Sequence, residues 1–342
     1  IDKSGQDWLV QLDESEAIDE GQLVEVKKIN SGRRIRSDKV RISERLGDAS
    51  APRSISLIAI HQHNIPNTFP DEVILQSKKA TLVNNKKWHD YTEMPFVTID
   101  PQDARDHDDA CYAKLDDDPK NPGGHLLWVA IADVAHFVRS GDSIDNEARY
   151  RGNSTYFPDR VVPMLPDSLS GDLCSLHEGE KRACLVVQMK IDSQGNKLSH
   201  KFTRALIQSS ASLEYSEVQE AVDKGIGRQE VLQLLEPVLN PLYGAYNSLK
   251  VARNKRGPLE LNLPERQIDI DKTGKVTEVR FKERLDAHKL IEEFMILANF
   301  CAAETLSDKK VPTIFRVHEE LSLIHISEPT RPRLISYAVF CL

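Results

Sequence analysis

The spacing of apolar residues along the chain changes from strand-like to helical. Near the N-terminus, apolar runs that suit short strands are separated by acidic or Gly/Arg-rich turns, at residues 8–12, 22–26 and 39–42. Residues 126–134 form a nearly continuous apolar run, which is typical of a strand buried on both faces. Residues 184–206 alternate around a central Gly-Asn and predict a hairpin. The pattern therefore predicts a small β unit at the start of the chain and a buried sheet in its middle.

Helical periodicity appears between and after these strands. Residues 54–61 and 71–79 predict two short helices, and the prolines between them end the first helix. Residues 286–306 predict the clearest helix, since apolar side chains recur there every three or four positions. The segments 215–223 and 229–253 also predict helices, the second of them interrupted at two prolines. Strands and helices mixed in this order predict an α+β fold.

Composition places the chain among globular proteins, with 40% hydrophobic and 29% charged residues. Its 342 residues are enough for two or more domains. The net charge of -8 argues against a protein that coats nucleic acid non-specifically, but it allows a local basic channel. No apolar stretch approaches the length of a membrane span, and the five cysteines form no CxxC pair. We therefore expect a cytoplasmic protein with reduced thiols.

Aspartates crowd into residues 98–111, directly after the apolar run 95–99. They are Asp100, Asp103, Asp106, Asp108 and Asp109. Because like charges at this density repel one another, a fold that keeps them together needs a neutralising cation, and Arg105 is the only basic side chain inside the run apart from a histidine. Carboxylate oxygens suit Mg²⁺ or Mn²⁺, which makes a metal site one interpretation. A solvated acidic loop is the other interpretation.

The flanks of this run favour the metal site. The run follows a strand-like segment and leads directly into residues 110–113, which predict the start of another strand. Asp108 and Asp109 are adjacent and point in different directions, so the carboxylates can surround an ion. No register gives the alternating acids, the central glycine and the terminal glutamate of an EF-hand, so this calcium motif is excluded.

Five blocks of the sequence resemble, in family order, the ribonuclease II family of RNB exoribonucleases. The blocks are residues 98–110, 127–136, 151–166, 173–176 and 288–299. This resemblance extends from about residue 55 to residue 320. It implies an RNB-type catalytic domain, built from a mixed sheet with helices and incomplete in this chain. It also implies that part of a β-barrel domain of the OB or cold-shock type precedes the catalytic domain.

The resemblance divides the chain into four predicted parts. Residues 1–48 are predicted as the C-terminal part of the OB/cold-shock-like domain, 49–92 as a connecting region and 93–320 as the N-terminal two-thirds of the catalytic domain. Residues 321–342 look like translated adapter or vector sequence, so we expect an artefactual tail, with a genuine divergent tail as the alternative. The chain opens on Ile1 without an initiator methionine, so we expect its natural N-terminus to lie upstream.

The resemblance implies a catalytic site that holds Mg²⁺, with Mn²⁺ as an alternative ion. The residues at the family's acidic catalytic and metal-binding positions are Asp100, Asp106, Asp108 and Asp109. Asp103 matches a position at which the family varies. Arg105 is expected to hold the loop by pairing with a neighbouring carboxylate. His107 is expected to be structural rather than a general base.

The resemblance also implies three RNA-binding residues. Tyr156 matches a tyrosine that stacks on the last bases at the 3′ end, and Tyr215 matches another RNA-contacting tyrosine. Glu292 matches an acid near the ribose of the leaving nucleotide. The alternatives are core tyrosines and a glutamate on a solvated helix face. Glu214 stands where the family more often has threonine.

The implied function is processive 3′→5′ hydrolysis of single-stranded RNA to nucleoside 5′-monophosphates, by a cytoplasmic monomer without membrane contact. A non-catalytic RNA-binding module of the same fold is the alternative. A metal-dependent phosphatase or DNase is a weaker rival, because nothing outside the aspartate run supports it. The family's Thr-Ser-Pro-Ile-Arg-Arg-Tyr block, which carries an essential arginine, has no counterpart in these residues. We therefore expect weak activity or none from this chain by itself.

Overall fold

The computed structural model describes residues 7–11, 18–29, 39–49, 51, 54–82, 87–257, 266–271, 273–281 and 283–315. The predicted tail 321–342 lies outside the described residues. The chain divides into two units, residues 1–296 and 297–342, and every site discussed below lies in the first unit. In the part of the chain that is described, no helix has the length and apolar character needed to cross a membrane.

The first described elements form a three-stranded sheet in the order β1–β3–β2. Strand β1 is Leu9–Val10, β2 is Gln22–Lys28 and β3 is Lys39–Asp48. Strands β2 and β3 are antiparallel, whereas β1 runs parallel to β3. The three predicted strands are therefore confirmed, although β3 is longer than its apolar pattern indicates.

Two helices follow this sheet, as the periodicity predicts. Helix α1 is Ser54–Gln62 and α2 is Asp71–Lys79. The residue that caps α2 is Pro70, which has no side-chain donor or acceptor, so Asp71 does not cap the helix by a hydrogen bond. Asp71 lies in the first turn instead, where a negative charge interacts favourably with the helix dipole.

The central element is a seven-stranded mixed sheet in the order β12–β5–β6–β7–β10–β11–β4. In chain order its strands are β4 (His89–Tyr91), β5 (Val97–Asp100), β6 (Asp109–Leu115), β7 (His125–Ala132), β10 (Lys181–Ile191), β11 (Lys197–Gln208) and β12 (Ala211–Glu214). The two edge strands, β4 and β12, pair in parallel, and the inner pairings are antiparallel. Strands β10 and β11 form the predicted hairpin.

Strand β7, in the middle of the sheet, is buried because apolar side chains cover both of its faces. Leu127 and Val129 are buried on one face, and Trp128 and Ala130 are buried on the other. One face packs on a core cluster that includes Phe96, and helix α7, Asn240–Arg256, packs on β6 and β7. The prediction of a doubly buried strand is therefore confirmed.

Short elements fill the connections of this sheet. They are α3 (Val134–Phe137), α4 (Ser143–Arg151), the two-stranded sheet of β8 (Thr155–Tyr156) and β9 (Val161–Val162), and a π-helical turn at Ser168–Leu173. Helix α4 begins where the Asp142 side chain accepts a hydrogen bond from the Asp145 backbone N–H, which satisfies one of the unpaired donors of the first turn.

The C-terminal helices follow the predicted pattern with one difference. They are α5 (Tyr215–Lys224), α6 (Gln229–Leu234), α7 and α8 (Asp286–Asp308), with a separate two-stranded sheet of β13 (Arg266–Ile270) and β14 (Val276–Phe281) before α8. The chain continues from α6 to α7 through a π-helical turn at Leu235–Leu239 that contains Pro237. Pro241 lies in the first turn of α7, where its missing N–H costs no hydrogen bond.

Candidate active site

The aspartate loop, residues 100–109, joins two neighbouring strands of the central sheet. Strand β5 ends at Asp100, and its antiparallel neighbour β6 begins at Asp109, so both carboxylates lie at the same end of this strand pair. Asp106 and Asp108 lie in the loop between these strand ends. The sequence positions all four predicted carboxylates here because the loop is short and both of its ends are held in the sheet.

Hydrogen bonds between the backbone of the loop and a segment distant in sequence hold the loop in place. The His107 N–H donates to the Ser175 hydroxyl at 3.0 Å, and that hydroxyl is 3.3 Å from the Arg105 carbonyl oxygen. The Leu176 N–H donates to the His107 carbonyl at 2.9 Å. Ser175 is fully buried, so its contacts are shielded from water. The segment 173–176 therefore fixes the position of the aspartate loop through contacts with residues 105 and 107.

Arg105 does not have the predicted role. Its side chain is exposed and makes no ion pair with any residue that the structure describes. The prediction that Arg105 holds the loop by pairing with a carboxylate is wrong, because the backbone contacts to Ser175 and Leu176 do this instead. Asp103 is exposed on the same loop.

Burial and mutual repulsion raise the pKa values of two of the aspartates. Burial, followed by the carboxylates of Asp100 and Asp108, raises the pKa of Asp109 to about 7. The pKa of Asp108 is also raised, first by burial and then by the charges of Asp106 and Asp100. Carboxylates whose pKa values are raised by one another's charges mark a place where a cation is favoured.

His107 neutralises part of this charge. Its Nδ1 lies 2.7 Å from Oδ2 of Asp100, and this hydrogen bond is the main cause that raises the pKa of His107, against an opposing effect of burial. The imidazole also makes an edge-to-face contact with His177, with ring centroids 6.0 Å apart. The pairing orients His107 towards Asp100 rather than towards open solvent.

The donor set of the loop fits a hard divalent cation. Four carboxylates and no sulfur ligand are the composition that Mg²⁺ and Mn²⁺ take. Within the described residues, no three of these aspartates bring ligand oxygens to within 4.8 Å of one another. A bound cation would draw these carboxylate oxygens together, because it offsets the repulsion between their charges.

Tyr156 lies beside the aspartates. Its hydroxyl donates to Oδ2 of Asp106 at 3.3 Å, while 66% of the residue is exposed. Burial of the phenol, and then the Asp106 charge, raises the pKa of Tyr156. The exposure excludes the alternative of a core tyrosine. The ring is accessible next to the carboxylates, which is the position that a stacking residue requires.

Tyr215 also lies close to the aspartates, but its ring has a protein partner. It follows Glu214, the parallel register partner of Asp100. Burial, and then the charges of Asp100 and Asp109, raises the pKa of Tyr215. The ring stacks on His288 of α8, with centroids 4.0 Å apart and planes at 17°.

Glu292 is not brought into contact with the aspartates. It lies one helical turn after His288, so both side chains share a face of α8. Its carboxylate pairs with Arg284, and in the described part of the chain it makes no hydrogen bond to the aspartate loop. The neighbouring Glu293 is buried and pairs with Arg253 at 3.1 Å, so the two glutamates have different environments.

Two residues at the site are not evident from the sequence. Ser175 lies in a block that resembles the family, but nothing in its spacing shows that its hydroxyl supports the loop. His288 opens the block 288–299, and its stacking on Tyr215 depends on where α8 packs. Only the matching block gave a signal for either residue.

Comparison with known proteins agrees with this architecture. The RNB domain model matches residues 88–333, and the cold shock domain model matches residues 2–70. The chain therefore belongs to the RNB domain family, and the predicted family and fold class are confirmed.

The individual relatives are ribonucleases R. Ribonuclease R of Vibrio cholerae is 39% identical over 303 residues, which are 87% of this chain and 36% of the relative. The structure of Mycoplasma genitalium RNase R in complex with ribose-methylated single-stranded RNA has a TM-score of 0.81 and 26% identity, and the match covers 94% of this chain and 50% of that one. Its complex with double-stranded RNA has a TM-score of 0.82 and 27% identity, with 94% and 57% covered. The chain thus spans 36% of the Vibrio cholerae relative and between 50% and 57% of the two solved chains.

Proposed function

We propose that the protein is a cytoplasmic, monomeric 3′→5′ exoribonuclease that hydrolyses single-stranded RNA processively to nucleoside 5′-monophosphates. One observation carries this proposal. Four carboxylates lie at adjoining strand ends, and an exposed tyrosine donates a hydrogen bond to one of them. A phosphodiester cannot approach these carboxylates without a cation between them, and the tyrosine offers a surface for a base.

The aspartates are proposed to hold Mg²⁺, with Mn²⁺ as the alternative. When bound, the ion supplies charge relief at the phosphate and lowers the pKa of an attacking water. The raised pKa of Asp109 means that this carboxyl group must lose a proton before it binds a cation. Ser175 and Leu176 keep the loop in one conformation, which limits the reorganisation that binding requires.

Tyr156, Tyr215 and Glu292 are proposed to hold the 3′ end of the RNA. The exposed Tyr156 ring is accessible for base stacking. Tyr215 is positioned by His288, and Glu292 lies on the same face of α8 as this histidine. Supporting evidence comes from the relative: the Mycoplasma genitalium enzyme was solved with single-stranded and with double-stranded RNA.

The proposal is tested with RNA labelled separately at its 5′ and 3′ ends. Two proteins are compared, the 342-residue chain and a hybrid in which the C-terminal portion of a Ribonuclease R follows residue 320. The hybrid should release labelled mononucleotide at once from the 3′-labelled strand. It should leave no intermediates of graded length on the 5′-labelled strand. EDTA should stop both reactions, and the 342-residue chain should hydrolyse RNA barely above background.

The alternative function gives a different result. A non-catalytic RNA-binding module binds the same RNA with unchanged affinity in Mg²⁺ and in EDTA, and its hybrid releases no nucleotide. EDTA-resistant hydrolysis by the hybrid would contradict the role of the aspartates.

A further inference from the structure

A second group of metal-ligand side chains lies outside the aspartate loop. It comprises Glu25 of β2, Glu44 of β3 and His61 at the end of α1, and we call it the EEH cluster. One ligand atom from each residue lies within 4.8 Å of the other two. Three separate elements contribute one residue each, so the cluster is not a run of acidic residues on one surface.

The two glutamates face each other across a strand pair. Glu25 and Glu44 are direct register partners in the antiparallel β2–β3 pairing. Like charges that stand directly opposite each other destabilise a sheet. A cation placed between them converts this repulsion into attraction.

Within the described residues, no lysine or arginine pairs with these glutamates. Lys27, Arg41 and Arg45 lie on the same two strands, but none of them makes an ion pair with either glutamate. In the same part of the chain, the ionic contact of the cluster joins His61 Nδ1 to Glu25 Oε2 at 3.4 Å, and Glu44 makes no ion pair.

The imidazole of His61 makes no hydrogen bond in the described part of the chain. Its Nε2 is buried and has no partner, and its contact with Glu25 is an ion-pair distance without a hydrogen bond. The side chain is only 17% exposed, so water does not satisfy it fully. Nδ1 is the ring nitrogen that faces the Glu25 carboxylate, and since it makes no hydrogen bond among the described residues it can bind a cation placed between the two groups.

The distance in the EEH cluster agrees with tetrahedral coordination. Zn²⁺ bonds to imidazole nitrogen and carboxylate oxygen are roughly 2.0–2.2 Å long, so two ligand atoms at a tetrahedral angle lie roughly 3.3–3.6 Å apart. The observed separation of His61 Nδ1 and Glu25 Oε2 is 3.4 Å. Glu44 is exposed, so its carboxylate can change rotamer to complete the group.

We propose that Glu25, Glu44 and His61 bind a first-row transition cation of the Zn²⁺ class, with water as the remaining ligand. An imidazole nitrogen with two carboxylates favours Zn²⁺ over Mg²⁺, which prefers oxygen ligands alone. The bound ion links the β2–β3 sheet to helix α1. This site is independent of the proposed exoribonuclease function, since it shares no residue with the aspartate loop.

The test measures Zn²⁺ bound to the metal-stripped 342-residue chain by equilibrium dialysis in a large excess of Mg²⁺. The Mg²⁺ occupies the aspartate loop, so the Zn²⁺ bound under these conditions reports the EEH cluster. We expect one Zn²⁺ per chain, and the same value in the Asp108→Asn/Asp109→Asn variant. His61→Ala and Glu44→Gln should each raise the Zn²⁺ dissociation constant roughly tenfold or more.

Matched variants control for general effects of substitution. His63→Ala removes an exposed histidine two residues further on, and Glu20→Gln removes an exposed glutamate before β2. Both should bind Zn²⁺ like the parent chain. A thermal melt in chelator checks that each variant folds, and Zn²⁺ should raise the Tm of the parent but not of His61→Ala or Glu44→Gln.

Three outcomes would overturn the proposal. The first is that no Zn²⁺ binds in excess Mg²⁺. The second is that binding disappears only in the Asp108→Asn/Asp109→Asn variant, which assigns the ion to the aspartate loop. The third is that Glu44→Gln, an isosteric change at an exposed position, folds normally and leaves the affinity unchanged.

Discussion

The aspartate loop and the EEH cluster both gather carboxylates, but they do so in different ways. The loop takes its acids from one contiguous segment that joins two paired strands. The cluster takes one residue from each of three separate elements. Local density therefore reveals the first site in the sequence. The second exists only after β2, β3 and α1 have packed together.

The two sites also differ in the number of negative charges that they bring together. The loop has four aspartates, and burial followed by the neighbouring carboxylates raises the pKa values of Asp108 and Asp109. The EEH cluster has only two carboxylates, with a histidine beside them. Because four like charges repel one another more strongly than two, the aspartate loop depends more strongly on a cation.

The largest expected effect is the loss of hydrolysis when the aspartate loop is changed. Asp109→Asn in the hybrid removes a carboxylate that is proposed to hold Mg²⁺, and we expect a rate loss of roughly 10²–10³-fold or more. RNA affinity should change little, since the tyrosines that are proposed to contact RNA remain. Single-turnover hydrolysis and a filter-binding assay measure the two quantities. Asp103→Asn, on the same loop but exposed, is the matched control. Equal losses in both variants would show that the loop's general charge, rather than this site, matters.

The next effect concerns pH and the stability of the metal-free protein. Asp109 has a pKa of about 7 when folded, against an ordinary value of 3.8, so between these values the folded state holds more protons than the unfolded state. The free energy of unfolding should therefore fall as pH rises from about 4 to 7, by on the order of 2–4 kcal/mol. The raised pKa of His107 acts in the same direction, because its stabilisation is present at low pH and lost as the imidazole deprotonates.

Added Mg²⁺ should reverse this trend, because the ion competes with the Asp109 proton. Chemical denaturation at pH 5.5 and pH 8, with Mg²⁺ or EDTA, measures the effect. Mg²⁺ should stabilise the protein more at pH 8. Asp109→Asn should flatten the pH dependence, and a parent chain that Mg²⁺ stabilises equally at both pH values would contradict the assignment.

A smaller effect is expected at Tyr156. Stacking contributes about 1–3 kcal/mol per base, so Tyr156→Ala should weaken binding of the RNA 3′ end by that amount. Tyr156→Phe keeps the ring and loses only the 3.3 Å hydrogen bond to Asp106, so it should retain most of the affinity. Fluorescence anisotropy with a short labelled RNA measures both variants. Equal losses in the two variants would show that the hydroxyl carries the contact instead of the ring.

The smallest effect tests the opposed glutamates. In chelator, Glu44→Gln removes a like-charge pair across β2 and β3, so it should stabilise the chain by roughly 0.2–1 kcal/mol. With saturating Zn²⁺ the parent chain should become the more stable of the two. A change in which of the two proteins is the more stable distinguishes a metal site from a solvated pair of glutamates, because the stability of a solvated pair does not depend on Zn²⁺.

Periodicity was sufficient to predict most elements. Helix α8, the buried strand β7 and the β10–β11 hairpin follow from patterns within single segments. The aspartate loop was predictable for the same reason, since its acids and flanking strands are contiguous. The boundaries predicted for the four parts of the chain, and the roles of the site residues, stay predictions.

The contacts that sequence analysis misjudged or missed are ones in which the observed partners lie far apart in the sequence. The sequence predicts that Arg105 binds a nearby carboxylate, whereas in the structure Ser175 of another segment holds the loop. His288 stacks on Tyr215 only because α8 packs beside the start of α5. Sequence spacing gives no distance between such segments, since loop closure and core packing decide where each one lies.

The sequence by itself determined the α+β class, the family and the crowding of aspartates between two strands. It did so because these depend on local periodicity and on the order of residues in short blocks. Only the tertiary structure decided that the pKa of Asp109 is raised to about 7, that Tyr156 reaches Asp106, and that two glutamates and a histidine from three elements meet. These depend on burial and on contacts between segments, and both arise when the chain closes its loops around a common core.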